Sequence, residues 1–172
     1  MRYLNIRKNE YVPVIFSFIY SFLIVSFFIL SKSFRDALFL NTFGKEELSF
    51  IYLINPIITG FFVWIFIYFL KSRSLLFKSI VIHIFTLIVS LFLLLNLNDS
   101  LVFAYYIFVD FQVAIIALLF WQVLSGCFTN RQAKRLFGII TSGGFLSALI
   151  LGSSLSYITL YFSQKDFLLF FN

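Results

Sequence analysis

Asp110 is the residue that most demands a chemical reason. It lies roughly midway along the apolar run Leu101 to Leu124. A carboxylate at the centre of a membrane span costs about 3 kcal/mol unless it is paired, protonated or facing water. On helical spacing Tyr106, Asp110, Ala114, Ala117 and Trp121 share one stripe. That mixture of polar, small and aromatic groups suits a lumen or a packed interface. Two roles follow: a substrate or proton site on an internal cavity, or an interhelical hydrogen bond that aids packing.

A second group is Lys32, Arg35 and Asp36, just after the apolar run Val12 to Leu30. If the helix continues they stand at i, i+3 and i+4, on one face. The spacing predicts a Lys32–Asp36 pair that leaves Arg35 for an anion, which its planar fork of donors suits. The alternative is a solvated helix end at the lipid headgroups. The third group is Arg131, Lys134 and Arg135 in the segment joining the fourth and fifth apolar runs. Three cations so close can hold anionic headgroups, latch a neighbouring loop, or simply orient the chain.

Other chemistries find little support. His83 and Cys127 are the lone residues of their types, and one such ligand makes no metal site. No nucleophile, base and orienting group stand at a readable spacing, and no phosphate-cradling Gly-x-x-x-x-Gly-Lys-Ser/Thr pattern occurs. We expect no enzyme, no metal and no cofactor. Gly144, Ala148, Gly152 and Ser156 recur every four residues. This small-xxx-small stripe predicts close helix packing.

The elements that position these residues follow from composition. The chain has 172 residues, 62% hydrophobic and 12% charged, with mean hydropathy +1.02. Soluble domains are nearer 45–50% apolar and about 25% charged, so too few charges exist to cover a water-soluble globule. Disorder is excluded because disordered segments are poor in apolar residues. One Cys and two Pro exclude a disulfide scaffold and a collagen-like chain. The net charge of +6 falls in clusters between apolar runs, which points to membrane topology rather than to a nucleic-acid polymer.

A helix crosses the hydrocarbon core with about 20 apolar residues. The apolar runs predict a single all-α transmembrane domain over 1–172, a bundle of about five spans at 12–30, 48–70, 80–95, 101–124 and 139–160. Residues 167–172 read as the opening of a sixth that the chain cuts short. Asn55-Pro56 and Gly60 are expected to bend or loosen the second span. A β-barrel would need alternating polarity, but Phe61 to Ile67 is apolar on every side.

Nine of the thirteen Lys and Arg fall on one side of this topology: Arg2, Arg7, Lys8, Lys71, Arg73, Lys78, Arg131, Lys134 and Arg135. They share it with one acid, Glu10. Lys32, Arg35, Lys45 and Lys165 fall on the other side with five acids, Asp36, Glu46, Glu47, Asp99 and Asp166. The positive-inside rule then places the amino terminus in the cytoplasm, and we expect a multi-pass protein of the cell (inner) membrane.

Two stretches resemble a known family. Ser33-Phe34-Arg35-Asp36-Ala37-Leu38-Phe39-Leu40, then Gly44, then a helix with Asn55-Pro56, is similar to the first helical hairpin of the ATP/ADP translocase (nucleotide transporter) family. Phe120-Trp121, then Gln132-Ala133-Lys134-Arg135-Leu136-Phe137-Gly138 and Ser142-Gly143-Gly144, resembles that family's connection between helices four and five. The segment Lys71 to Ser79 lacks the Gly and Asp of the common facilitator loop, which disfavours an ordinary sugar or drug facilitator. The resemblance implies a major-facilitator-like transporter of about twelve spans, rocking about a central site, with antiport of nucleotides or another organic anion. Together with the residue readings above, the candidate substrate contacts are Lys32, Arg35, Asp110 and Trp121, and the candidate cytoplasmic gate is Arg131 with Lys134 and Arg135, the last two of which match the family's basic pair. The partners would be the bilayer, a small organic anion and the remaining spans of a longer transporter. The chain alone is then not expected to transport. The competing expectation is a helical membrane scaffold that associates through the Gly144 stripe.

Overall fold

The computed structural model describes residues 6–70, 74–96 and 98–161. The expected sixth span at 167–172 lies outside them, as do Arg2, Lys71, Arg73, Lys165 and Asp166. The described residues form an all-α bundle with no strand among them. A short 3-10 turn, Lys8–Glu10, leads into α1 (Tyr11–Phe43), α2 (Lys45–Leu70), α3 (Leu75–Leu95), α4 (Asp99–Cys127) and α5 (Asn130–Tyr161).

Each of the five helices is long and apolar enough to cross a membrane. Leu53, Ile57, Trp64 and Phe145 stand exposed along them, at no penalty where lipid tails replace water. The protein is a multi-pass membrane protein. Half of the apolar window of α4 is buried, against 17–28% in the other helices, so α4 is the most protein-facing of the five.

The helices begin and end where local chemistry dictates, often outside the apolar runs. α1 does not stop at Leu30: it has 33 residues, about 50 Å at 1.5 Å per residue. Nothing between Ser31 and Phe43 breaks it, and Phe34 and Phe39 still bury their rings. Gly44 ends it at φ +92°, its N–H donating to the Leu40 carbonyl at 3.2 Å. A side chain is strained at that φ, so glycine closes the helix and turns the chain directly into α2. Glu46 and Glu47 in the first turn of α2 complement the positive end of its dipole. α2 continues through Pro56 and Gly60, so the expected weak point does not interrupt it.

Side-chain caps start the remaining helices. Ser74 Oγ accepts from the Phe77 N–H at 3.3 Å, and Asn98 Oδ1 from the Leu101 N–H at 3.0 Å. Before α5 the Thr129 N–H donates to Gln132 Oε1 at 2.9 Å, and the Gln132 N–H to Thr129 Oγ1 at 3.5 Å. This reciprocal pair is a capping box. Residues 130–135 are therefore the first turns of α5 and not an inter-helix loop.

The helices contribute to two compact units. The first holds the chain up to Leu30 with Ala117–Ser156. There α5 presents Leu136, Ile140, Gly143 and Ser147, all buried, at the alternating spacing of a helix–helix seam. A Cβ on Gly143 would collide with the Phe18 carbonyl oxygen, and one on Gly144 would come within 2.8 Å of Val25 Cγ2. Ser26 Oγ and Ser147 Oγ share a hydrogen bond of 2.8 Å. The packing register thus runs through Gly143 and Ser147, with Gly144 beside it. Of the expected Gly144–Ala148–Gly152 stripe, Gly144 meets α1, while Ala148 and Gly152 stand exposed, with nothing within 4 Å of a Cβ on Gly152.

The second unit centres on Ser31–Ile116. Phe39, Ile51, Val102 and Tyr106 form one buried cluster, and Phe34, Leu93, Tyr105 and Val109 another. The Phe66 ring lies 5.5 Å from Phe111 and 5.6 Å from Phe85, joining α2 to α4 and α3 through favourable aromatic contacts.

Candidate functional site

Three helices of the second unit bring charge together. Lys32, Arg35 and Asp36 come from α1, Tyr52, Asn55 and Thr59 from α2, and Tyr106 and Asp110 from α4. Arg35 is the pivot. Its Nη1 meets Asp110 Oδ1 at 2.5 Å and its Nη2 meets Asp36 Oδ1 at 2.9 Å. Its Nε also donates to Asp36 Oδ1 at 3.0 Å. The guanidinium carbon lies 4.0 Å from the centroid of the Tyr106 ring, within cation–π range. Lys32 Nζ approaches Asp110 Oδ1 at 3.4 Å.

Polar side chains of α2 complete the shell. Asn55 Nδ2 donates to Asp110 Oδ2. Thr59 Oγ1 donates to Asn55 Oδ1 at 3.1 Å, which turns the amide so that its NH2 faces the carboxylate. Tyr52 Oη donates to Asp36 Oδ2 at 3.2 Å. Two cations and two carboxylates balance, as burial in a membrane requires.

Burial separates the roles. The Arg35 side chain is 3% exposed, Asp110 21% and Lys32 49%. Arg35 is held by two carboxylates and an aromatic face. Lys32 is the accessible cation. The expected Lys32–Asp36 pair is thus replaced: Arg35 takes Asp36, and Lys32 reaches across to Asp110. The reason is that Arg35 points into the protein, where Asp110 waits on another helix, whereas helical spacing alone weighs only partners on α1.

Asn55 carries in the sequence the same signal as Asp110, a polar group inside an apolar span that needs a partner; in the structure it is buried.

The other expected site residues lie in the first unit. Trp121 packs on Phe120 and Phe137, with ring centroids at 5.4 and 5.6 Å. Arg135 Nη2 meets Glu10 Oε1 at 2.5 Å and Oε2 at 2.6 Å. Gln132 Nε2 donates to Glu10 Oε1 at 3.1 Å, and the Arg7 N–H to Glu10 Oε2 at 2.9 Å. This buried knot ties the start of α1 to the start of α5. Sequence reading missed it because Glu10 entered only as a charge to be counted. Arg131 and Lys134 are exposed, and no carboxylate pairs with either among the described residues.

His83 is exposed, with Nδ1 2.7 Å from the Ser79 carbonyl. Among the described residues no three His, Cys, Asp or Glu side chains gather as a metal would need.

The cluster can exchange ionic partners. An anion arriving at Lys32 would compete with Asp110, and the displaced carboxylate would still be held by Arg35 and Asn55. Comparison of the chain with protein-family models, with curated proteins and with solved structures finds no match in any of the three.

Proposed function

We propose that the chain forms part of a facilitator-type secondary transporter that moves nucleotides or another small organic anion by alternating access. The observation that carries this reading is the half-exposed ammonium of Lys32, held against Asp110 within membrane-crossing helices. Intramembrane ionisable groups mark substrate and ion pathways. A cation whose counter-ion has other partners is suited to bind an anion and release it again. The solute class rests on the resemblance of Ser33–Leu40 and Phe120–Gly144 to the nucleotide transporters; the remaining spans would complete the path. Arg131 and Lys134, both exposed, would act at the cytoplasmic gate, and Arg135 would act there through its bond to Glu10.

The same reading places the amino terminus in the cytoplasm of a cell whose inner membrane holds the protein. With α1 extended to Phe43, Lys32 and Arg35 leave the loop count. The described basic residues at helix ends are then Arg7, Lys8, Lys78, Arg131, Lys134 and Arg135 on one side and Lys45 on the other, a sharper asymmetry than expected.

Uptake of labelled nucleotide by vesicles holding the intact transporter tests the proposal. Lys32→Gln should raise the half-saturating concentration about tenfold, the worth of one charged hydrogen bond of about 1.5 kcal/mol. Unchanged half-saturation in a variant present at normal levels would remove Lys32 from the site.

A further inference from the structure

The first unit carries a groove that the charge cluster does not use. It holds about 340 Å³ and is lined by Val25 and Phe28 of α1, Trp121 of α4, and Gly144, Phe145 and Ala148 of α5. That volume lies at the small end of the roughly 300–1,000 Å³ typical of ligand sites. Its lining is almost wholly apolar. The hydroxyl of Thr141, one of the few polar groups on the wall, is spent on the Phe137 carbonyl of its own helix. Nothing there would hold a hydrophilic solute.

The stripe of α5 that lines the groove continues to the end of the helix. Arg131, Lys134, Gly138, Thr141, Phe145 and Ala148 follow one another at alternating spacings of three and four, which places them on one face. Lys134 lies one repeat of seven residues from Thr141, about 10 Å along the axis. Gly138, between them, leaves open space where a side chain would stand. The apolar groove therefore leads along a bare strip of helix to two exposed cations that lack carboxylate partners among the described residues. Arg135, their neighbour, is committed to Glu10.

We infer that this groove is a binding site for an anionic phospholipid of the surrounding bilayer. One acyl chain lies against Trp121, Phe145 and Ala148, and the phosphate rests on Lys134 and Arg131. The charge complementarity and the spacing select this occupant: an anionic head at the membrane surface, joined to a tail that enters the hydrocarbon. A zwitterionic lipid matches the groove but gains less from the cations. Arg131 and Lys134 are also the residues that the transport reading puts at the gate, but the lipid site does not depend on that role.

Trp121 supplies the probe. The chain has two Trp, so Trp64→Phe leaves Trp121 as the sole indole. This variant is reconstituted in phosphatidylcholine vesicles containing either phosphatidylglycerol or phosphatidylcholine brominated in the acyl chains, and quenching of Trp121 is titrated. Each cation near the surface favours an anionic lipid by about fivefold, so phosphatidylglycerol should half-quench Trp121 at roughly five- to twenty-five-fold lower mole fraction. Arg131→Gln with Lys134→Gln should abolish that preference while quenching by brominated phosphatidylcholine persists, which shows the groove intact. Equal quenching by the two lipids would overturn the assignment. So would a preference that survives both substitutions, or tighter quenching by a brominated free fatty acid.

Discussion

Replacing Asp110 with leucine should destabilise the protein by about 3–5 kcal/mol, the cost of leaving a buried charge without its partner. Arg35 is the group left behind. Its side chain is 3% exposed, and Asp110 supplies the ion pair from α4. Asp36 remains, but it is more exposed and already shared with Tyr52. Lys32→Leu removes the other cation on Asp110, yet that ammonium is half in solvent, so the loss should stay near 0–1 kcal/mol. Removing both Arg35 and Asp110 as leucines should recover much of the stability lost in the single Asp110 variant, because no unpaired guanidinium then stays buried. Equilibrium unfolding in mixed micelles reads all four proteins. Equal losses for Asp110→Leu and Lys32→Leu would mean that Arg35 does not depend on Asp110.

Gly143→Ala should be the most damaging single methyl group in the first unit. The new Cβ would meet the Phe18 carbonyl oxygen and lie 3.2 Å from the carbonyl carbon and 3.3 Å from the Phe18 ring. Two of these three atoms are backbone, so no rotamer change relieves the clash. α1 and α5 must separate, which also strains the Ser26–Ser147 hydrogen bond. Overpacking of this kind costs about 1–3 kcal/mol or more. Gly152→Ala offers the contrast. With open space around it, the substitution should be neutral or stabilising by up to about 1 kcal/mol through helix propensity. Thermal unfolding of the two variants side by side separates the registers, and equal behaviour would place the α1–α5 contact elsewhere.

The membrane spans were legible because hydropathy reports burial in lipid directly. The helix ends were less so. Ser74, Asn98 and the Thr129–Gln132 box are polar, so a search for apolar runs starts after them. Gly44 was in view, but its left-handed backbone marks the end of α1 only once the chain is seen to stay helical past Lys32. Asp110 announced itself by the cost of its charge, whereas its partners did not, since Arg35 and Asn55 reach it from helices distant in sequence. The small residues of α5 offer two overlapping registers, Gly143–Ser147 and Gly144–Ala148–Gly152. Periodicity cannot choose between them, because the choice depends on which face meets Phe18 and Val25. Glu10 looked like a lone acid among basic residues until α5 brought Arg135 and Gln132 to it.

The claim that the Lys32–Arg35–Asp110 cluster is an anion site open to water is tested most directly by a thiol placed beside it without disturbing its charges. Thr59 is partly exposed and one hydrogen bond from Asn55, and Cys127 is the lone cysteine. Thr59→Cys in a Cys127→Ser background should react with a membrane-impermeant thiol reagent, and saturating nucleotide should slow that reaction several-fold. A thiol that resists the reagent, or one modified at the same rate with and without nucleotide, would contradict it.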